Sequence, residues 1–140
     1  MILIGQRITK INGERYDLES KSGLKNISSN AIPKTLKEGK SADSKKKVLI
    51  VGWEFISEYD LTDDQKLAKL LIAGEVIYEL DTKDFKNIFD EWKKNKSINK
   101  EQLLPIMQNI LNIAQVEGII IAKEMNLPSP VQLLRIKESE

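Results

Sequence analysis

The 140-residue chain contains no cysteine and no histidine. These two absences exclude a disulfide framework, a thiolate nucleophile and any zinc site built from Cys and His. They also exclude Ser-His and Cys-His catalytic pairs and imidazole acid–base chemistry. A metal site would have to use carboxylates and carbonyls, a donor set suited to Mg or Ca. Charge of one sign is missing too: 22 basic residues face 21 acidic ones, for a net charge of +1. No overall field draws in nucleic acid or anionic lipid. Arginine is scarce, with only Arg7, Arg15 and Arg135 among the basic residues. That scarcity, with abundant Ile, points to an AT-rich genome or a thermophile rather than to a function. The longest uncharged run, Gln102 to Val116, carries five amide side chains. It reads as too polar and too short to span a bilayer. The apolar N-terminus meets Gln6 and Arg7 too soon for a signal sequence. The expectation is a cytoplasmic protein, with no membrane insertion and no cofactor. Scattered glycines give no phosphate-cradling loop.

What is present divides into a strand-rich first half and a helical second half. That order predicts an α+β fold, a four-stranded antiparallel sheet followed by a short and a long helix. We expect one domain over 1–140, with the sheet in 1–80, helices in 81–125 and an extended tail in 126–140. The first strand, Ile2 to about Tyr16, is expected to put Ile2, Ile4 and Ile8 on one face and to bend at Asn12-Gly13. The second, Leu24 to Leu36, alternates poorly, and Pro33 limits it to an edge. Residues 37–47 read as a mobile hairpin loop. In Val48 to Tyr59 and Leu67 to Leu80, apolar residues recur with period 2. These two strands form a hairpin at the sheet's centre. A helix follows, capped by Asp81 or Thr82, with Phe85, Ile88, Phe89 and Trp92 on one face and Asn95 as its C-cap. The last helix runs from Asn99 to about Met125, with Asn99 and Gln102 as a capping box and a kink or late start at Pro105. Pro128 and Pro130 keep the tail extended.

The last helix is unusually apolar around its circumference. Leu103, Ile106, Ile110, Ile113 and Ile121 line one side. Leu104, Met107, Leu111 and Ala114 lie beside them, and Val116, Ile119 and Ile120 spread further. A helix that covers one sheet needs a stripe of about 100°, and this one is roughly twice as wide. The rest of its surface carries amides, Gln108, Asn112 and Gln115, where solvated faces usually carry Lys and Glu. Three readings fit: a core helix packed on two sides, an oligomer contact, or an apolar binding groove. Elsewhere, Glu54, Glu58, Glu75 and Glu79 fall on one face of the sheet, as a solvated surface or a dock for a basic partner. The lysines between Lys34 and Lys47 lack interleaved aromatics, which argues against nucleic-acid binding. Trp53 and Trp92 sit at periodic apolar positions, as core residues do.

The order of elements resembles the SecB-type protein-export chaperones. Residues 4–8 look like that family's first strand, and KVLIVGWEFISEYD followed by KLLIAGEVIYEL is similar to its central hairpin. LLPIMQNILNIAQVEGIIIAKEMNLPSPVQL resembles its long helix and proline-bearing tail. The resemblance implies a homotetramer, a dimer of dimers, that acts without ATP. Such an assembly holds non-native polypeptide clients in apolar grooves. Export members are acidic and dock the secretion motor through acids on the sheet. This chain is near neutral and has no matching carboxylates in Ile8 to Tyr16, so a general or toxin-linked holdase is equally compatible.

On this reading the client-contact residues are Ile27 and Ile32 on the second strand, Ile106, Ile110 and Ile113 on the long helix, and Leu127 and Val131 in the tail. Strand-one Ile4 and Ile8 and the amides Gln108, Asn112 and Gln115 are expected at subunit interfaces. A different class of function, a structural or adaptor subunit with one dedicated protein partner, uses the same apolar helix. An enzyme of carboxylates and lysines needs a constellation that the sequence does not display.

Overall fold

The computed structural model describes residues 1–16 and 23–130. Four strands, β1 (Ile2–Arg15), β2 (Leu24–Gly39), β3 (Lys46–Leu61) and β4 (Lys66–Asp81), precede two helices, α1 (Thr82–Asn95) and α2 (Lys100–Glu124). All strand pairs are antiparallel, in the order β1-β4-β3-β2. The expected α+β architecture is what forms, with the β3–β4 hairpin at its centre.

The period-2 pattern explains which face is covered. In β3, Leu49, Val51, Trp53, Phe55 and Tyr59 are buried; in β4, Ala68, Leu70, Ile72, Val76, Tyr78 and Leu80 are. Directly paired residues share a face, so these two rows make one apolar floor, and both helices lie on it. Glu54, Glu58, Glu75 and Glu79 fall on the opposite, uncovered face. There Glu75 pairs with Arg7 at 2.6 Å and Glu58 with Lys66. That bond and the Lys66 charge hold the Glu58 carboxyl below the usual carboxylate range.

β1 departs from the expected alternation. Register shifts fall between Leu3 and Gly5 and between Ile8 and Lys10. Each bulge reverses the side on which later residues point. Ile2 therefore pairs with Glu79 on the uncovered face, while Ile8 pairs with Gly74 on the helix side. Asn12-Gly13 makes no turn. Gly13 stays in register opposite Leu70, and the Met125 Sδ lies where its Cβ would be. β2 runs three residues further than expected, which shortens the predicted mobile loop to residues 40–45.

Asp81 caps α1, its carboxylate accepting from the Asp84 N–H at 2.8 Å. The C-cap of α1 is Lys96, not Asn95; Lys96 has φ 53° and donates its N–H to the Trp92 carbonyl. Asn99 caps α2 by accepting from the Glu101 N–H. Pro105 sits inside α2, which runs through it without a break. The uncharged run Gln102 to Val116 reads as too short and too polar to span a bilayer, but the whole of α2 is by length and composition sufficient to cross one. In this fold it lies along the sheet. Its C-terminus closes with a paired motif. The Asn126 N–H bonds the Lys123 carbonyl, the Leu127 N–H bonds the Ala122 carbonyl, and Asn126 takes a left-handed φ of 56°.

Candidate functional site

α2 meets the sheet along Ile106, Ile110, Ala114, Gly118 and Ala122, a row spaced by four residues. Ile106 and Ile110 are fully buried in the core with Phe55, Ile72 and Trp53. They are structural here rather than open to a client, which corrects their expected role. The row then shrinks to Ala114, Gly118 and Ala122, and small side chains let the helix approach the sheet closely.

The opposite face of α2 stands in solvent. Leu104 is 63% exposed, Val116 56%, Ile120 48% and Ile119 38%, with exposed Gln108 and Asn112 between them. The helix therefore has two apolar faces, and its own sheet covers one. Gln115 does not join the outward amides. It turns toward β2 and lines a cleft of about 360 Å³ with Met107 and Leu111 from α2, Ser29, Asn30 and Ala31 from β2, Phe55 beneath, and Pro130 at one end.

The tail segment Asn126–Pro130 is tied across this end of the sheet. Arg15 donates to the Met125 and Asn126 carbonyls, both at 2.9 Å. The Tyr59 hydroxyl donates to the Pro128 carbonyl at 2.6 Å and the Ser29 hydroxyl to the Pro130 carbonyl at 2.9 Å. Ser29 and the wholly buried Ser57 hydroxyl lie 2.9 Å apart. Ser29 has one proton and gives it to a carbonyl, which can only accept. Ser57 is therefore the donor in the Ser57–Ser29 bond. Burial pushes the Tyr59 phenol up to about 12. Tyr78, on the same face, is raised by burial and lowered by the bond it accepts from Asn109 at 2.8 Å.

The expected client residues are not gathered in one place. Ile27 pairs with Tyr59 on the helix side and is half-buried, whereas Ile32 pairs with Glu54 on the uncovered face. Leu127 is buried with Tyr59, Ala68, Leu70 and Ala122. Ile113 packs on the main core, and Val131 lies outside the described residues. At the expected interface positions, Ile4 is 52% exposed on the outer edge strand and Ile8 is half-buried against the core. Sequence reading missed Met107, Leu111, Ala31 and Phe55 as a cleft, and the hydroxyls of Ser29, Ser57 and Tyr59 as the row that ties down the tail segment. One signal was available. Gly118 sits in the middle of a helix, where glycine costs about 1 kcal/mol relative to alanine. The ring of Pro130 comes within 3.2 Å of where its Cβ would be.

No protein-family model and no curated protein matches the chain. Among solved structures, it is similar to the SecB-like chaperone Rv1957 of Mycobacterium tuberculosis, solved in complex with a ChAD peptide from the Rv1956 HigA1 antitoxin. The TM-score is 0.56 at 10% identity, covering 99% of this chain and 91% of that one. The likeness is one of fold: the four-stranded antiparallel sheet and two helices are arranged as in a SecB-like protein.

Proposed function

We propose that the protein is an ATP-independent holdase that binds non-native polypeptides, assembled as a dimer of dimers in the cytoplasm. The observation that carries this reading is the second apolar face of α2, left in solvent by a helix whose inner face is already packed. The shared fold with a chaperone solved on a peptide supports the same reading. So does the apolar cleft beside β2, which offers contact area without a catalytic constellation.

Two self-complementary surfaces support the assembly. The outward ridge of α2 is symmetric about Asn112. In an antiparallel pair with a second copy, Leu104 meets Ile120, Gln108 meets Val116, and Asn112 meets its own counterpart. A buried amide at such a dyad fixes the register. The second surface is β1, a long edge strand with exposed Ile2, Leu3, Ile4 and Ile11. Among the described residues the outer side of β1 has no strand partner, so it is open to pairing with a second copy despite its two bulges. Two distinct two-fold interfaces generate a tetramer.

The test is suppression of aggregation of a chemically denatured enzyme without nucleotide. Suppression at near-stoichiometric ratio is expected. Unchanged aggregation at several-fold molar excess defeats the holdase reading and leaves the adaptor subunit, for which a single stoichiometric partner in pull-downs is the signature.

A further inference from the structure

The segment 126–130 runs back along α2 in a fixed direction. Leu127 donates its N–H to the Ala122 carbonyl and packs in one cluster with Ala122 and Tyr59. Further on, the Pro130 ring sits against Gly118 and the Pro130 carbonyl accepts from Ser29. The strand register gives the same direction, because Tyr59 pairs with Ile27 and Ser57 with Ser29. Carried forward, this path passes over Ala31 and Phe55, the next pair on the helix side, and alongside Leu111 and Met107. These residues line the cleft of about 360 Å³. The described residues stop at Pro130, at one end of that cleft. The sequence goes on with Val131, Gln132, Leu133 and Leu134, and charge returns at Arg135. From Gly118 to Met107 the helix rises about 16 Å, at about 1.5 Å per residue. An extended chain, at about 3.3 Å per residue, covers that distance in about five residues. The apolar stretch after Pro130 therefore matches the cleft in length. Leu133 and Leu134 are neighbours, so one of them faces the cleft whichever side an extended segment presents.

We propose that residues 131–134 fill the cleft of their own chain, with a leucine seated over Phe55 between Ala31 and Met107. The segment 126–130 stays where it is, held by Arg15, Tyr59 and Ser29. Because this entry is already fixed, docking orders only the short stretch that follows it, and the conformational entropy lost is correspondingly small. The competing apolar surface is the outward ridge of α2, on the side of the helix away from this path. A ligand of the cleft, whether a client or one dedicated partner, has to displace the segment. The inference therefore does not depend on the holdase reading.

The test uses the three methionines as reporters. Met107 lines the cleft, Met125 lies against β1 and Met1 is exposed. In methyl NMR spectra of the full chain carrying ¹³C-methyl methionine, Leu133→Ser, Leu134→Ser should shift the Met107 signal and leave Met1 in place. A chain truncated after Pro130 should show the same shift. A fluorescein-labelled peptide of residues 131–137, added to the truncated chain, should return Met107 toward its full-chain position; the same peptide with serine at both leucines should not. A segment tethered this closely has an effective concentration of about 1 mM, so a peptide with a Kd of about 100 µM on the truncated chain should bind the full chain about tenfold more weakly. Fluorescence anisotropy reads that ratio. The chain has no cysteine, so Ser139→Cys takes a single nitroxide. It should broaden Met107 of its own chain. In a mixture of nitroxide-bearing chains without ¹³C and unmodified ¹³C full chains, Met107 should stay sharp. An unmoved Met107 signal in both altered chains, or equal peptide binding by full and truncated chains, overturns the proposal. Broadening in the mixture also overturns it, because the occupant is then the tail of a second copy.

Discussion

Lys96 holds a left-handed backbone at the end of α1, and a side chain there costs about 1–2 kcal/mol. Against this, its Nζ lies 5.8 Å from the Trp92 ring centre, an exposed cation–π contact of about 0.5–1 kcal/mol. Relief of the backbone is the larger effect. Lys96→Gly should raise stability by about 0.5–1 kcal/mol in urea unfolding, and a loss would mean that the ring contact dominates. Tyr59 ties stability to alkaline pH. Burial raises its phenol from 10 to about 12, so the folded chain keeps a proton that the unfolded chain loses. The associated stability is intact below pH 10 and declines as pH rises toward 12. Ionisation also removes the proton donated to Pro128. Tyr59→Phe should flatten that decline in unfolding curves recorded at pH 9 to 12, leaving the smaller slope due to Tyr78. An unchanged decline would assign it to other groups.

At the scale of elements, α2 sorts its residues by face, and substitutions should follow that sorting. Ile110→Ala opens a cavity under the helix and should cost about 2–5 kcal/mol of unfolding free energy. Leu104→Ala, on the outward ridge, should leave the stability of a single subunit nearly unchanged. Equal losses at both positions would contradict the two-faced helix. The sequence made the helices, their N-caps and the central hairpin legible, because alternation in Val48–Tyr59 and Leu67–Leu80 is long and uninterrupted. It did not disclose the faces of β1, because the two bulges are backbone events without a residue signature. Ile2 and Ile8 look equivalent by spacing and lie on opposite sides. Periodicity gave the width of the apolar surface on α2 but not its division. Ile106 and Ile110 look no different from Ile119 and Ile120 until the sheet is placed. The hydroxyl row was hidden because Ser29, Ser57 and Tyr59 lie on two strands, and only the β2–β3 register brings them together.

For the whole molecule, a subunit with this distribution of apolar surface should not stay alone. On the proposed function, the α2 ridge and the β1 edge each pair with a second copy, and client capture would then multiply over the assembly. The direct measurement is solution mass by multi-angle light scattering. The wild type is compared with a Val116→Asp, Ile120→Asp variant whose circular dichroism confirms the fold. The wild type should have four times the 16.0 kDa chain mass, and the variant should fall to the dimer held by β1. A wild-type monomer at micromolar concentration would contradict the account.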